Sequence, residues 1–215
     1  MKRISANFYI KDFSSRLSMD ATIRRLERDG QGQEFGDLRT GHLDPIEMSR
    51  DDIVIRVFDG KRSSVVAHCH ATLSSVAPSV GVQMNTETFP SGRMAGLKYA
   101  SMQLNMDKNT YSKYDEAHNT VLIIESIEVM DGYKMEGIGS SILDFLIKTV
   151  SPDYVTVTLC SCYMPSVKTN SIVPAETDLT AMFHFLKALH FTNLGKINVD
   201  NAGTVMPLSF FVVRI

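Results

Sequence analysis

The stretch Val121–Val150, VLIIESIEVMDGYKMEGIGSSILDFLIKTV, decides how the rest of the chain is read. It opens on four consecutive apolar residues, Val121-Leu122-Ile123-Ile124, and predicts a strand over Thr120–Val129. It closes on Ile138, Ile142, Phe145, Leu146 and Val150 at helical spacing, which predicts a helix over Ile138–Val150 that Pro152 stops. Between them runs a tight loop with Gly137 and Gly139. Glycines there let the backbone approach a ligand closely and adopt angles closed to other residues. The free amides of the first helical turn, together with the helix dipole, suit a phosphate or pyrophosphate. The plainer alternative is an ordinary helix start.

On either side of this stretch, strands and helices alternate. Ile4–Ile10 places Ile4, Ala6, Phe8 and Ile10 on one side, a period of two that fits a half-buried strand. From Asp12 to Arg28 the pattern reads as helix, with Met19, Ile23 and Leu26 on one face, Ser18 or Asp20 as cap and Gly30 at the end. The polar stretch Asp29–Gly41 reads as loop. Asp52–Phe58 and Ser64–Leu73 form a hairpin around Asp59-Gly60. Ser74–Asn119 shows little periodicity and reads as an insertion with some structure of its own. Tyr154–Leu159 is a short strand, Ser161–Thr177 a loop, Asp178–His190 a second helix. Strands at Phe191–Val199 and Leu208–Ile215 close the chain around a turn at Asp200–Gly203.

Composition bounds the function. The 215 residues carry 22 Lys+Arg against 24 Asp+Glu, a net charge of −2, with 44% apolar and 21% charged residues. That balance describes a folded chain and removes the basic excess expected of a sequence-tolerant nucleic-acid binder. Cys69, Cys160 and Cys162 make no disulfide framework. The first residues, MKRISANFYIKDF, lack the apolar run of a signal peptide, and no run reaches the roughly 18 apolar residues of a membrane span. The expectation is a cytoplasmic protein that does not enter membranes.

The Val121–Val150 stretch has neither the Gly-Lys-Ser/Thr of a P-loop nor the three-glycine dinucleotide fingerprint. It resembles instead the acetyl-CoA-binding motif of the GNAT superfamily of N-acyltransferases. That motif reads Arg/Gln-x-x-Gly-x-Gly/Ala, and here it is Lys134-Met135-Glu136-Gly137-Ile138-Gly139. The resemblance covers most of the chain outside Ser74–Asn119. It implies an α/β (α+β) fold: a mixed, mostly antiparallel twisted sheet of about seven strands flanked by helices. One such domain over residues 1–215 would carry an insertion at about 74–119.

A second family pattern, Ala-x-x-Phe-Tyr-x-x-x-Gly-Phe at the fourth helix, is met by Phe185, Leu189 and Phe191. Leu186 stands where the family often has its Tyr general acid, and His190 stands for the Gly. What the resemblance implies is transfer of an acetyl group from acetyl-CoA to an amine by direct attack on the thioester. The motif strand and Tyr154–Leu159 would splay apart around the pantetheine arm. Main-chain groups of Ile127 and Val129 would pair with that arm, amides of Met135 to Ser140 would hold the pyrophosphate, and a backbone N–H near Val129 would stabilise the oxyanion.

Glu125 is read as the base. Even spacing from Ile127 and Val129 is expected to put the three on one face, with Glu128 on the other. The alternative for Glu125 is a sheet-edge charge or an ion pair. Cys160 and Tyr163 are candidates for the missing acid, against plain packing roles. His68-Cys69-His70 with Cys160 and Cys162 would make a metal set only if two strand faces meet, and no metal is assigned. His184 and His190 are read as surface or cleft residues. Met94–Met106 reads as acceptor pocket or as extra core, while Arg93 and Lys98 are read as contacts to an acidic acceptor or the cofactor's phosphates, or as solvated surface. The class alternative to an enzyme is a GNAT-fold binding or regulatory protein, which Leu186 and His190 favour. Exposed edge strands in such a fold offer pairing between two copies.

Overall fold

A computed structural model describes residues 2–9, 16–26, 47–60, 64–77, 88–110, 119–160, 175–201 and 203–215. Its elements are β1 (Lys2–Tyr9), β2 (Arg16–Leu26), β3 (Glu47–Asp59), β4 (Ser64–Val76), β5 (Thr88–Phe89) and α1 (Gly92–Thr110). There follow β6 (Asn119–Val129), α2 (Ile138–Val150), β7 (Tyr154–Cys160), α3 (Ala175–Ala188), β8 (Thr192–Asn201) and β9 (Thr204–Arg214). The strands form one sheet of order β1-β2-β3-β4-β6-β7-β9-β8-β5. Neighbours run antiparallel except β6–β7 and β5–β8, which are parallel. The mixed, mostly antiparallel sheet flanked by helices is therefore present, with nine strands where about seven were expected. The two additions are β2 and the two-residue β5.

β2 corrects the helix expected over Asp12–Arg28. Met19, Ile23 and Leu26 fit a helical period, but Leu17, Met19 and Ala21 fit a period of two equally well, and these three are buried. Pairing decides the tie: β2 is laddered on both sides, Ala21 lying opposite Ile4 on β1 and Ile55 on β3. Tertiary pairing outweighs so short a local pattern. The loop expected at Asp29–Gly41 lies outside the described residues.

The apolar run of β6 is explained by helices on both faces of the sheet. Leu122 and Ile124 join a core with Ile53, Ile55 and Cys69, closed by Ile138, Ile142, Leu143 and Leu146 of α2 and Leu186 of α3. Val121 and Ile123 join a second core with Phe210 and Val212, closed by Ala95, Leu97 and Ala100 of α1. Full burial of each large aliphatic side chain contributes about 1.5–3 kcal/mol.

The Ser74–Asn119 stretch is thus in part a covering layer. Ser91 starts α1, accepting from the Met94 amide at 3.2 Å. Close approach to β7 needs glycine, since a Cβ at Gly92 would run into Thr158 and one at Gly96 would lie 2.6 Å from the Thr156 hydroxyl. Met94 is buried in the second core, which answers for the described start of the Met-rich piece. Arg93 donates to both carboxylate oxygens of buried Glu47, at 2.8 and 2.9 Å, so its charge is spent inside the protein rather than on an acceptor or a phosphate. Among the described residues, no helix is long and apolar enough to cross a membrane.

Candidate functional site

The β6–β7 ladder is short. It pairs Val121–Ile124 with Tyr154–Val157 and stops. Beyond it, β6 stays with β4 as far as Val129, and β7 stays with β9 as far as Cys160. The two strands therefore part, as the resemblance implied. The opening is a mostly apolar recess lined by Ile124, Glu125, Ser126 and Ile127 of β6 and Val157, Thr158 and Leu159 of β7. Leu143 of α2 and Met182, Phe185 and Leu186 of α3 complete its wall. Past Ile124, β6 has no strand partner on the β7 side among the described residues, so an extended ligand can add there as a strand does.

A bulge sits at the same point. Ala71 lies opposite Ile124 and His70 opposite Ser126, so Glu125 is an extra residue on β6. One inserted residue reverses the alternation beyond it. This corrects the expected faces. Ile127 and Val129 pack against the α2/α3 core, whereas Glu125 turns to the other face, where the Thr72 hydroxyl donates to its Oε1 at 2.6 Å and His70 Nδ1 lies 3.0 Å from its Oε2. Glu128, expected opposite to Glu125, shares that face and lies 3.7 Å from His68. His70 and Thr72 were not singled out as partners of Glu125; their signal was the alternation of His68, His70 and Thr72 along one strand. Cys69 points into the core, away from both histidines, and burial first, then the Glu125 charge, push its thiol up to about 12. No cluster of three metal-ligating side chains occurs among the described residues, and the Cys160 and Cys162 side chains of the expected two-face set lie outside them.

The loop from Met130 to Gly137 leads into α2. Tyr133 anchors it, its hydroxyl donating to the Asp59 carboxylate at 2.7 Å in the interior. Gly137 is the N-cap at φ 77, a left-handed conformation, and makes no side-chain cap hydrogen bond. Met135, at φ 65, is also left-handed and is 94% exposed. The first-turn amides of Ile138, Gly139 and Ser140 thus start a helix whose N-cap residue offers them no side-chain acceptor. Gly139 has a packing reason, since its Cβ would meet the Phe185 ring at 3.3 Å. Lys134 pairs with Asp131 at 2.8 Å, and the lysine holds that exposed carboxyl below its usual range, first by hydrogen bonding and then by charge.

On α3, Leu186 is buried and lines the recess, so no hydroxyl stands at the family's tyrosine position. His190 is left-handed at φ 63 and ends the helix: its amide reaches Lys187 O at 3.0 Å, and the Phe191 amide reaches Leu186 O at 3.0 Å. This double closure commonly uses glycine, and His190 and His184 are exposed. Cys160 is the last residue of β7. Tyr163 and Cys162 lie outside the described residues.

No protein-family model matches the chain. No curated protein matches it either. Among solved structures it is similar to Arabidopsis thaliana NAA60 in complex with acetyl-CoA, at 12% identity over 76% of each chain with a TM-score of 0.42. It is also similar to the ribosomal-protein-S5-alanine acetyltransferase of Vibrio fischeri, at 9% identity over 76% of this chain and 61% of that one, TM-score 0.38. A third is the histone acetyltransferase HPA2 and related acetyltransferase of Corynebacterium glutamicum, at 13% identity over 74% and 63%, TM-score 0.34. These likenesses are remote, and the fold described above rests on the chain's own strand order.

Proposed function

We propose that the chain is a single-domain, cytoplasmic N-acyltransferase that moves an acetyl group from acetyl-CoA to an amine. The observation that carries this reading is the parting of β6 and β7 after Ile124 and Val157, beside the start of α2, whose N-cap is glycine. A donor with an extended, amide-bearing arm and a pyrophosphate fits those two features together. Its arm would add alongside Ile127 and Val129, and the amides from Met135 to Ser140, with Lys134, Glu136, Gly137, Ile138 and Gly139 in the same loop, would take the pyrophosphate. The thioester supplies an activated carbonyl. The chain's part is to hold it at the split, exclude water with the apolar wall of α3, and accept a proton from the amine near Glu125.

Acetyl-CoA titrated against thermal unfolding, with free thiol followed over a panel of amines and peptides, tests the reading. Stabilisation with thiol release supports it; no stabilisation at millimolar acetyl-CoA overturns it. The buried Leu186 favours a second reading, a CoA-binding or regulatory module. Stabilisation without turnover on any amine would select that one. Cys160 and Tyr163 are the remaining acid candidates, and Cys160→Ser or Tyr163→Phe should slow thiol release if either protonates the leaving sulfur.

A further inference from the structure

We propose that the proton acceptor at this site is not Glu125 but His70, held in position by Glu125; this rests on the acyltransferase reading. Both oxygens of Glu125 are engaged by β4: Oε1 accepts from the Thr72 hydroxyl at 2.6 Å, and Oε2 lies 3.0 Å from His70 Nδ1. Where Glu125 accepts in that contact, as a carboxylate does, the hydrogen lies on Nδ1. A neutral imidazole with its proton on Nδ1 has a bare lone pair on Nε2. The carboxylate is thereby spent on orientation, and the basic nitrogen is the far one of the ring.

Placement agrees. His70 lies directly across from Ser126, which lines the split together with Glu125. Its side chain is 46% exposed against 33% for Glu125, so the ring stands nearer to solvent and to an arriving amine. The bulge explains why Glu125 reaches it: without the extra residue, Glu125 would not stand beside the His70–Ser126 pair. The titratable and charged groups around His70 are Glu125 and Glu128 on β6, His68 on its own strand, and Asp52 and Arg56 flanking its β3 neighbour Val54. Leu186 offers no proton from the α3 wall of the recess, and this step takes its return proton from solvent.

The amine nitrogen bonds to the thioester carbonyl carbon and gives its proton to His70 Nε2. The carbon–sulfur bond breaks with its electron pair on sulfur. The half-exposed imidazolium, facing the Glu125 carboxylate, then releases its proton to water, and water protonates the thiolate.

His70→Ala, Glu125→Gln and the unaltered protein should be compared for acetyl-CoA stabilisation, for thiol release with and without added imidazole, and for the histidine nitrogen-15 spectrum, assigned by the signal that His70→Ala removes. Expected are unchanged acetyl-CoA stabilisation for both variants, a loss of about 10²–10⁴-fold in turnover for His70→Ala, and partial rescue of that variant alone by imidazole. The spectrum should place the proton on Nδ1, and Glu125→Gln should release that preference. Turnover of His70→Ala within a fewfold of the unaltered protein, failure of imidazole to rescue it, or a proton on Nε2 would remove His70 while leaving the acyltransferase reading intact. Absence of turnover in the unaltered protein would overturn that reading and the base with it.

Discussion

The Tyr133 hydroxyl donates to the Asp59 carboxylate across 74 residues of sequence, and both side chains are buried. Asp59 ends β3 beside the hairpin turn, and Tyr133 lies in the loop that leads into α2. The pair therefore ties the candidate phosphate loop to the end of β3, two places from β6 in the sheet. Tyr133→Phe removes one donor from a buried carboxylate, a change that costs about 1–3 kcal/mol. Urea unfolding should read that loss, and acetyl-CoA affinity should fall with it. Unchanged affinity at lowered stability would show that the anchor serves the fold alone.

What could be read from the sequence divides along one physical line. α2 and the β3–β4 hairpin were legible because their periods are unambiguous over seven or more residues. β2 was not, since Met19 and Ile23 satisfy a helical and a strand period at once, and only pairing with β1 and β3 separates them. Glu125 stands out in the sequence as a candidate base, but the face its spacing predicts is not the one it takes. A bulge is a property of two strands in register, and nothing in β6 alone announces it. His190, by contrast, looked like a departure from a family pattern and is a helix terminator in a costly conformation.

That cost is measurable. A left-handed conformation disfavours an L-residue by about 1–2 kcal/mol, and glycine gives back up to about 1 kcal/mol through its larger freedom in the unfolded chain. His190→Gly should therefore stabilise the protein by about 0.5–1 kcal/mol in chemical denaturation. A destabilised variant would mean that the imidazole makes a contact outweighing its backbone strain.

The charge of the Met130–Gly137 loop opposes the anion assigned to it. Lys134 is neutralised by Asp131 at 2.8 Å, and Glu136 adds a further negative charge. Asp131→Asn removes that ion pair and one negative charge from the loop. Its acetyl-CoA affinity should rise severalfold at low salt, and the gain should shrink as salt screens the loop. A gain that ignores salt would point to altered loop geometry instead.

Cys69 makes a pH prediction. Its thiol is raised from 9.0 to about 12, chiefly by burial. The unfolded chain therefore ionises this group first: from about pH 9 upward it sheds a proton that the folded protein keeps, so stability falls with rising pH across that window. Cys69→Ala should flatten this part of the alkaline stability profile. In the folded protein at pH 8, thiol reagents followed by peptide mapping should label Cys69 only as fast as the protein opens.

The α1–β7 contact holds the last prediction. Among the described residues the buried Thr156 hydroxyl has no hydrogen-bond partner, and a Cβ on Gly96 would lie 2.6 Å from it. A buried hydroxyl left unsatisfied costs about 1–3 kcal/mol, so Thr156→Val should raise stability by about 1 kcal/mol, the rest being lost to repacking around the new methyl. Gly96→Ala should do the reverse, because α1 must lift from β7 and the core around Ile123 loosens with it. The two effects are coupled through one atom. In a Thr156→Ala background the hydroxyl is gone, and Gly96→Ala should then cost markedly less than in the unaltered protein. A double-mutant cycle in urea reads that difference directly, and strict additivity would place the strain of Gly96→Ala in the Ile123 side chain, 3.2 Å away, instead.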